Sequence, residues 1–190
     1  MKKIITMIAL VLCTLAMSAQ TNHMKFKGIP MEGTLQNFTN KLKMKGYTPM
    51  GIKDGVSLLK GEFAGYKDCK IIAISDKSGM ICKVVVVFPS MDRWSELDNC
   101  YNKDKSMLTE KYGAPEICEE GFQSNYADDD NKKMHELKMD RCKYITNFVC
   151  DEGDILLELS HESVFSCFVQ LSYFDKVNQD KLRKKIMDDL

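Results

Sequence analysis

The chain has 190 residues with 27 Lys and Arg against 27 Asp and Glu, a balance that gives it no pull toward nucleic acid or anionic lipid. That length buries a substantial core and suits one domain or two small ones. The eight cysteines include no CxxC pair, which removes the spacing of zinc sites and of thioredoxin-type redox chemistry.

Residues 1–19 read as a removable secretion signal. Lys2 and Lys3 precede an apolar run from Ile4 to Leu15, and Ala16-Met17-Ser18-Ala19 is a small-residue exit. The run has 12 residues, and a membrane span needs about 20, so no transmembrane segment is expected. Leu12, ahead of Cys13, stands where a lipoprotein signal carries a small residue. The expected product is exported, periplasmic or extracellular, and soluble. It keeps 171 residues, with 25 basic against 27 acidic groups and seven cysteines. Disulfides are permitted in that compartment, and an odd count leaves at least one thiol unpaired.

Two α+β units are expected, over residues 20–89 and 90–190. In the first, Leu35, Phe38 and Leu42 recur at helical spacing, with Lys41, Lys43 and Lys45 near the C-terminal end and Gly46 as the stop. Strands are expected at 56–63, 67–75 and 80–88, the last two joined by Asp76-Lys77-Ser78-Gly79. In the second, Trp94, Leu97, Tyr101, Leu108 and Tyr112 form a helical stripe that Ser90 or Asp92 caps and Gly113 and Pro115 end, with a break expected near Asn102. An insertion at about 117–140 holds Asp128-Asp129-Asp130 ahead of Met134 and Leu137, the pattern of a short helix with an acidic first turn, or of a hairpin. Strands are expected at 142–150, 154–161 and 166–174, and a last helix from Asn178 docks through Leu182 and Ile186.

The two units are related by a repeat. An offset of 85 places Phe63 on Phe148, Ile72 on Leu157, Ile74 on Leu159, Cys82 on Cys167, Val84 on Val169 and Phe88 on Tyr173. These matches fall at every second position, the period of a strand. An offset of 66 aligns Leu42 with Leu108 and Pro49 with Pro115, so the second unit carries about 19 extra residues between helix and strands. The expected fold is α+β: two tandem α-β-β-β repeats forming an antiparallel sheet with helices packed on one face.

Alternation assigns the covered face to Leu59, Phe63, Ile72, Ile74, Cys82, Val84, Val86 and Phe88, with Tyr144, Phe148, Leu157, Leu159, Cys167, Val169, Leu171 and Tyr173. The other face, of mixed character, carries Ile71, Val85 and Val87 with Phe168 and Gln170. The pattern resembles the beta-lactamase-inhibitor-protein-like architecture, in which two tandem helix-plus-meander units form a continuous sheet with helices behind. The resemblance covers nearly all of the exported part and rests on topology and repeat length. Members include secreted inhibitors that grip an enzyme with the open sheet face, which implies the same use for the uncovered face here.

Catalytic chemistry finds few candidates. His161 and the carboxylates of the turn Asp151-Glu152-Gly153-Asp154 are the one constellation that suggests a small-molecule enzyme of hydrolase type. Counted from Asp128, an EF-hand needs Gly at position six and Glu at twelve, and Lys133 and Met139 stand there. There is no phosphate-binding glycine loop and no GxSxG, and no catalytic residue, cofactor or metal ligand is assigned. Hairpin arithmetic sets no two strand cysteines opposite each other, which leaves any bridge to Cys100 or Cys118. The expected function is a non-enzymatic binding protein whose open face, through Ile71, Val85, Val87, Phe168 and Gln170, holds a protein or an extended ligand. The alternatives are the enzyme centred on His161 and an envelope protein that covers its open face with a second copy of itself.

Overall fold

The computed structural model describes residues 22–123, 129–162 and 166–188. The expected secretion signal, residues 1–19, and Asp128 lie outside the described residues. A two-stranded ribbon, β1 (Lys25–Phe26) and β2 (Ile29–Pro30), precedes helix α1 (Leu35–Met44) and strands β3 (Thr48–Lys53), β4 (Val56–Phe63), β5 (Tyr66–Ser75) and β6 (Ile81–Val87). Helix α2 (Trp94–Tyr112), β7 (Ile117–Phe122) and α3 (Asp130–Lys138) follow. The chain continues through β8 (Cys142–Cys150), β9 (Gly153–Glu162) and β10 (Ser166–Asp175) to α4 (Lys176–Asp188).

Eight strands form one antiparallel sheet in the order β3-β4-β5-β6-β10-β9-β8-β7. Each repeat therefore contributes four strands where three were expected, because β3 and β7, exposed along almost their whole length, lack the apolar alternation that betrays a half-buried strand. The repeats meet where β6 pairs with β10, Val86 opposite Leu171. This arrangement leaves β3 and β7 as the two edges. In the first repeat two residues link β3 to β4; in the second, residues 123–141, with α3 among them, link β7 to β8.

The helices begin and end on local chemistry. Thr34 Oγ1 accepts from Asn37 N (3.3 Å) at the start of α1, and Gly46, at φ 94°, ends it. Helix α2 runs unbroken through Asn102, since nothing in its interior removes a backbone donor. Neither Ser90 nor Asp92 caps it. Asp130, reaching from the start of α3, accepts from Ser95 N (3.2 Å), while Asp129 caps α3 itself by accepting from Lys132 N (2.9 Å). The acidic run thus serves two helix starts.

Leu35, Phe38 and Leu42 of α1, Trp94, Leu97 and Tyr101 of α2, and Met134 and Leu137 of α3 share one core with one face of the sheet. The final helix docks differently from expectation. Ile186 is exposed and Leu182 half-buried, and the buried residue is Asn178. Its Nδ2 donates to Met31 O (2.9 Å) and Ile81 O (2.8 Å). Beside it the buried Asp175 carboxylate accepts from Met24 N (2.7 Å) and Asn178 N (2.9 Å) and meets His23 Nδ1 at 3.0 Å. This polar knot ties the N-terminal ribbon, β6 and α4 together. Asn178→Ala strands two buried carbonyls and is expected to cost about 2 kcal/mol, measured as a lower urea midpoint at unchanged m-value.

Strand phase is where sequence and structure part. In the second repeat, Phe148, Leu157, Leu159, Cys167, Val169, Leu171 and Tyr173 all face the helices as expected, with Tyr144 packed at the edge of that core. So do Leu59, Val84, Val86 and Phe88 in the first, and Phe63 packs against them. On β5 the assignment inverts: Ile71 and Ala73 are fully buried under the helices, and Ile72 and Ile74 pack on the opposite face with Val85, Val87 and Phe168. The cause is a pair of bulges. The register shifts between Gly61 and Phe63 on β4, and again where Ser75 pairs with Ile81, leaving Cys82 as the extra residue of β6. The first leaves its extra residue in β5 itself, between Tyr66 and Cys69, with Asp68 at φ 62°, and the second leaves it in β6; a one-residue slip carries a strand's side chains to the other face. Cys82 is accordingly half-buried, with its Sγ 3.4 Å from Ile74 O, where Cys167 is buried.

Candidate functional site

The face turned from the helices is the candidate. Register fixes what it shows. Across the middle of the sheet run Leu58, Ile72, Val85, Ser172, Leu156 and Asn147, each opposite the next. The row on one side carries Val56, Ile74, Lys83, Phe174, Asp154 and Val149. The row on the other carries Lys60, Lys70, Val87, Gln170, Glu158 and Ile145.

Of the five residues assigned to this surface, four lie on it. Val85, Val87 and Phe168 form a cluster of their own, with Ile72 and Ile74 packed against it. Gln170 stands opposite Val87, and its Nε2 donates to Glu158 Oε1 (2.7 Å). Ile71 is the exception and belongs to the core beneath α1. The three apolar members are only 5%, 9% and 8% exposed, so they form the floor of the face. What the face shows to solvent is the half-buried surround of Leu58, Ile72, Ile74, Leu156 and Phe174 and the exposed rim of Val56, Ile117 and Val149. Sequence alternation missed Ile72 and Ile74 because nothing in the local pattern marks the bulges.

Polar groups frame this apolar strip. Lys83 Nζ sits 4.6 Å from the centre of the Phe174 ring, a cation–π contact. Lys60 pairs with Asp68 (2.9 Å) and Lys143 with Glu119. Lys70 reaches Glu162 (3.7 Å) from β5 to β9, spanning the two strands between. These pairs are exposed, and each contributes little to stability. Ser172 Oγ, fully buried at the centre of the face, has no hydrogen-bond partner among the described residues.

The enzyme alternative loses its geometry. His161 and the turn at 151–154 lie at opposite ends of β9, eight residues apart and so roughly 27 Å at strand rise. His161 Nε2 instead meets Asp140 Oδ1 at 3.0 Å, at a helix-to-strand junction. A cleft of about 500 Å³ opens on the helix side between Lys25, Lys27, Phe63, Lys111, Tyr112 and Glu152; none of these pairs a nucleophile with a base. The seven described cysteines are all unbridged, Cys100 and Cys118 included. Burial pushes the Cys69 and Cys100 thiols up to about 11 and the Cys142 thiol up to about 12, so at neutral pH they lack the thiolate that nucleophilic chemistry requires. Among the described residues, no helix is long and apolar enough to cross a membrane, and no three His, Cys, Asp or Glu side chains gather as metal ligands. Comparison with protein-family models, with curated proteins and with solved structures finds no match for this chain.

Proposed function

We propose that the chain is an exported, non-enzymatic binding protein that holds a protein or an extended ligand on the uncovered face of its eight-stranded sheet. One observation carries this reading: the face away from the helices bears an apolar strip from Leu58 to Leu156, interrupted by Ser172 and framed by charge. A surface that only met water would show the polar alternation usual for a solvated sheet face. Export is read from Lys2, Lys3, the apolar run and the small-residue exit of residues 1–19. The wide sheet with helices behind it is also in keeping with the use to which the resembling secreted inhibitors put theirs.

The test is capture from periplasmic and secreted extracts on the immobilised protein. Ile72 and Leu156 are the residues to change, because both are half-buried on the face, whereas Val85 and Phe168 lie in its floor, where a lysine would have to be buried. Ile72→Lys and Leu156→Lys should each abolish capture while leaving the circular dichroism spectrum intact. Retention of the same partners by both variants overturns the assignment of this surface.

A further inference from the structure

The charges on the open face are divided between the two repeats. On the first repeat, register and alternation place Lys53, Lys60, Lys67, Lys70 and Lys83 there with Glu62 and Asp68, five positive charges against two negative. On the second they place Glu119, Asp154, Glu158 and Glu162 with Lys143, four negative against one positive. One half is net plus three and the other net minus three, with the apolar strip running through both. The dividing line is the β6–β10 seam, where the two repeats meet.

We infer that the occupant of this face is a second copy of the chain, docked face to face about a two-fold axis parallel to the strands along that seam. This rests on the reading of the open face as a binding surface and names its partner. Such an axis lays the basic half of each copy over the acidic half of the other, and an isologous contact of this kind closes as a dimer. It also lays the central row over itself reversed, so that Ile72 stands over Leu156 of the second copy and Val85 over its Ser172. Lys70 comes over Glu158 of the second copy. The competing axis, across the strands, sets lysine over lysine and is rejected by repulsion.

The area fits. Eight strands ~4.8 Å apart and ~20 Å long present roughly 750 Å², close to the ~800 Å² per partner of a standard-size interface. The composition fits as well, with an apolar centre and a charged rim.

The experiment is sedimentation equilibrium of the purified protein and of two variants, Lys70→Glu/Lys83→Glu and Asp154→Lys/Glu158→Lys, with folding checked by circular dichroism. The parent should approach twice the monomer mass as concentration rises, and at least ten-fold more weakly in 0.5 M than in 0.05 M salt. Each variant alone, now of one sign across its face, should weaken association at least ten-fold, and an equimolar mixture of the two should recover a mixed dimer. A parent that stays monomeric at millimolar concentration overturns the inference, as does a mixture that fails to recover. Should the parent be monomeric while Ile72→Lys and Leu156→Lys still abolish capture of another protein, the self-pairing is wrong and the binding reading stands. Should the dimer form with both of those variants unaffected, the open face is neither site.

Discussion

Gly153→Ala should cost at least about 4 kcal/mol of stability or leave the chain unfolded, as read from a urea melt, the range reserved for backbone strain and overpacking combined. Gly153 opens β9 directly after the turn at 151–152, with φ at 151°, where a side chain is strained whatever the space around it. The space is also filled. A Cβ there lies 1.9 Å from the Phe174 carbonyl oxygen and 3.0 Å from its carbon. Both atoms are backbone, so neither can rotate away. Retreat of β10 is blocked in turn, because Lys176 N donates to Glu152 O (3.0 Å) and Asp175 anchors the polar knot with Asn178. Gly79→Ala is the control: it has positive φ but nothing within 4 Å, and about 1 kcal/mol is expected. Equal losses at the two positions would refute the argument.

Asp104→Asn should stabilise the protein by about 3 kcal/mol at pH 8 and by almost nothing near pH 4. Asp104 lies in α2 at 3% exposure. Its Oδ1 has no hydrogen-bond partner among the described residues, and its Oδ2 has only the Cys100 thiol at 4.0 Å. Burial raises its carboxyl to about 6, against a partial downward pull from Lys103. The folded state therefore holds this proton more tightly than the unfolded chain does. Between roughly pH 4 and pH 6 the unfolded chain ionises first, so stability falls as pH rises through that window, and the full cost is present above it. A shift of about two units corresponds to about 3 kcal/mol. The amide keeps the shape and removes the charge. Urea midpoints of parent and variant should converge at pH 4 and diverge by pH 8, and a pH-independent difference would show that Asp104 acts through packing alone.

The fold class was legible because the apolar pattern at an offset of 85 residues holds between β6 and β10, where Val84 and Val169, and Val86 and Leu171, all lie under the helices. Phe148 and Leu157 were as plain as Leu59 and Val84. What alternation cannot register is a bulge: Asp68 and Cys82 look like any other strand positions, yet between them they turn β5 over. Ile71 was therefore assigned to the surface and Ile74 to the core, each on the wrong side. Edge strands were lost for a different reason. Thr48-Pro49-Met50-Gly51 in β3 buries nothing on either face, and hydrophobic periodicity is a signal of burial. The helix break expected at Asn102 came from length alone, which does not bend a helix whose backbone ladder is intact. Of the candidate face, Val85, Val87, Phe168 and Gln170 came directly from the pattern. The division of charge across the seam needed the strand order, which alternation alone does not contain.

The two outermost strands have a consequence for how such a chain behaves when crowded. A bare sheet border invites another chain to add itself as the next strand, the route to fibrils. Here one border holds Pro49, which offers no amide proton, and an irregularity in the ladder beside it. The other carries Glu119 and Glu120 in succession, charged side chains of the kind that blunt a sheet border. Growth by strand addition is obstructed on both flanks, and the chain can accumulate without polymerising into ribbons.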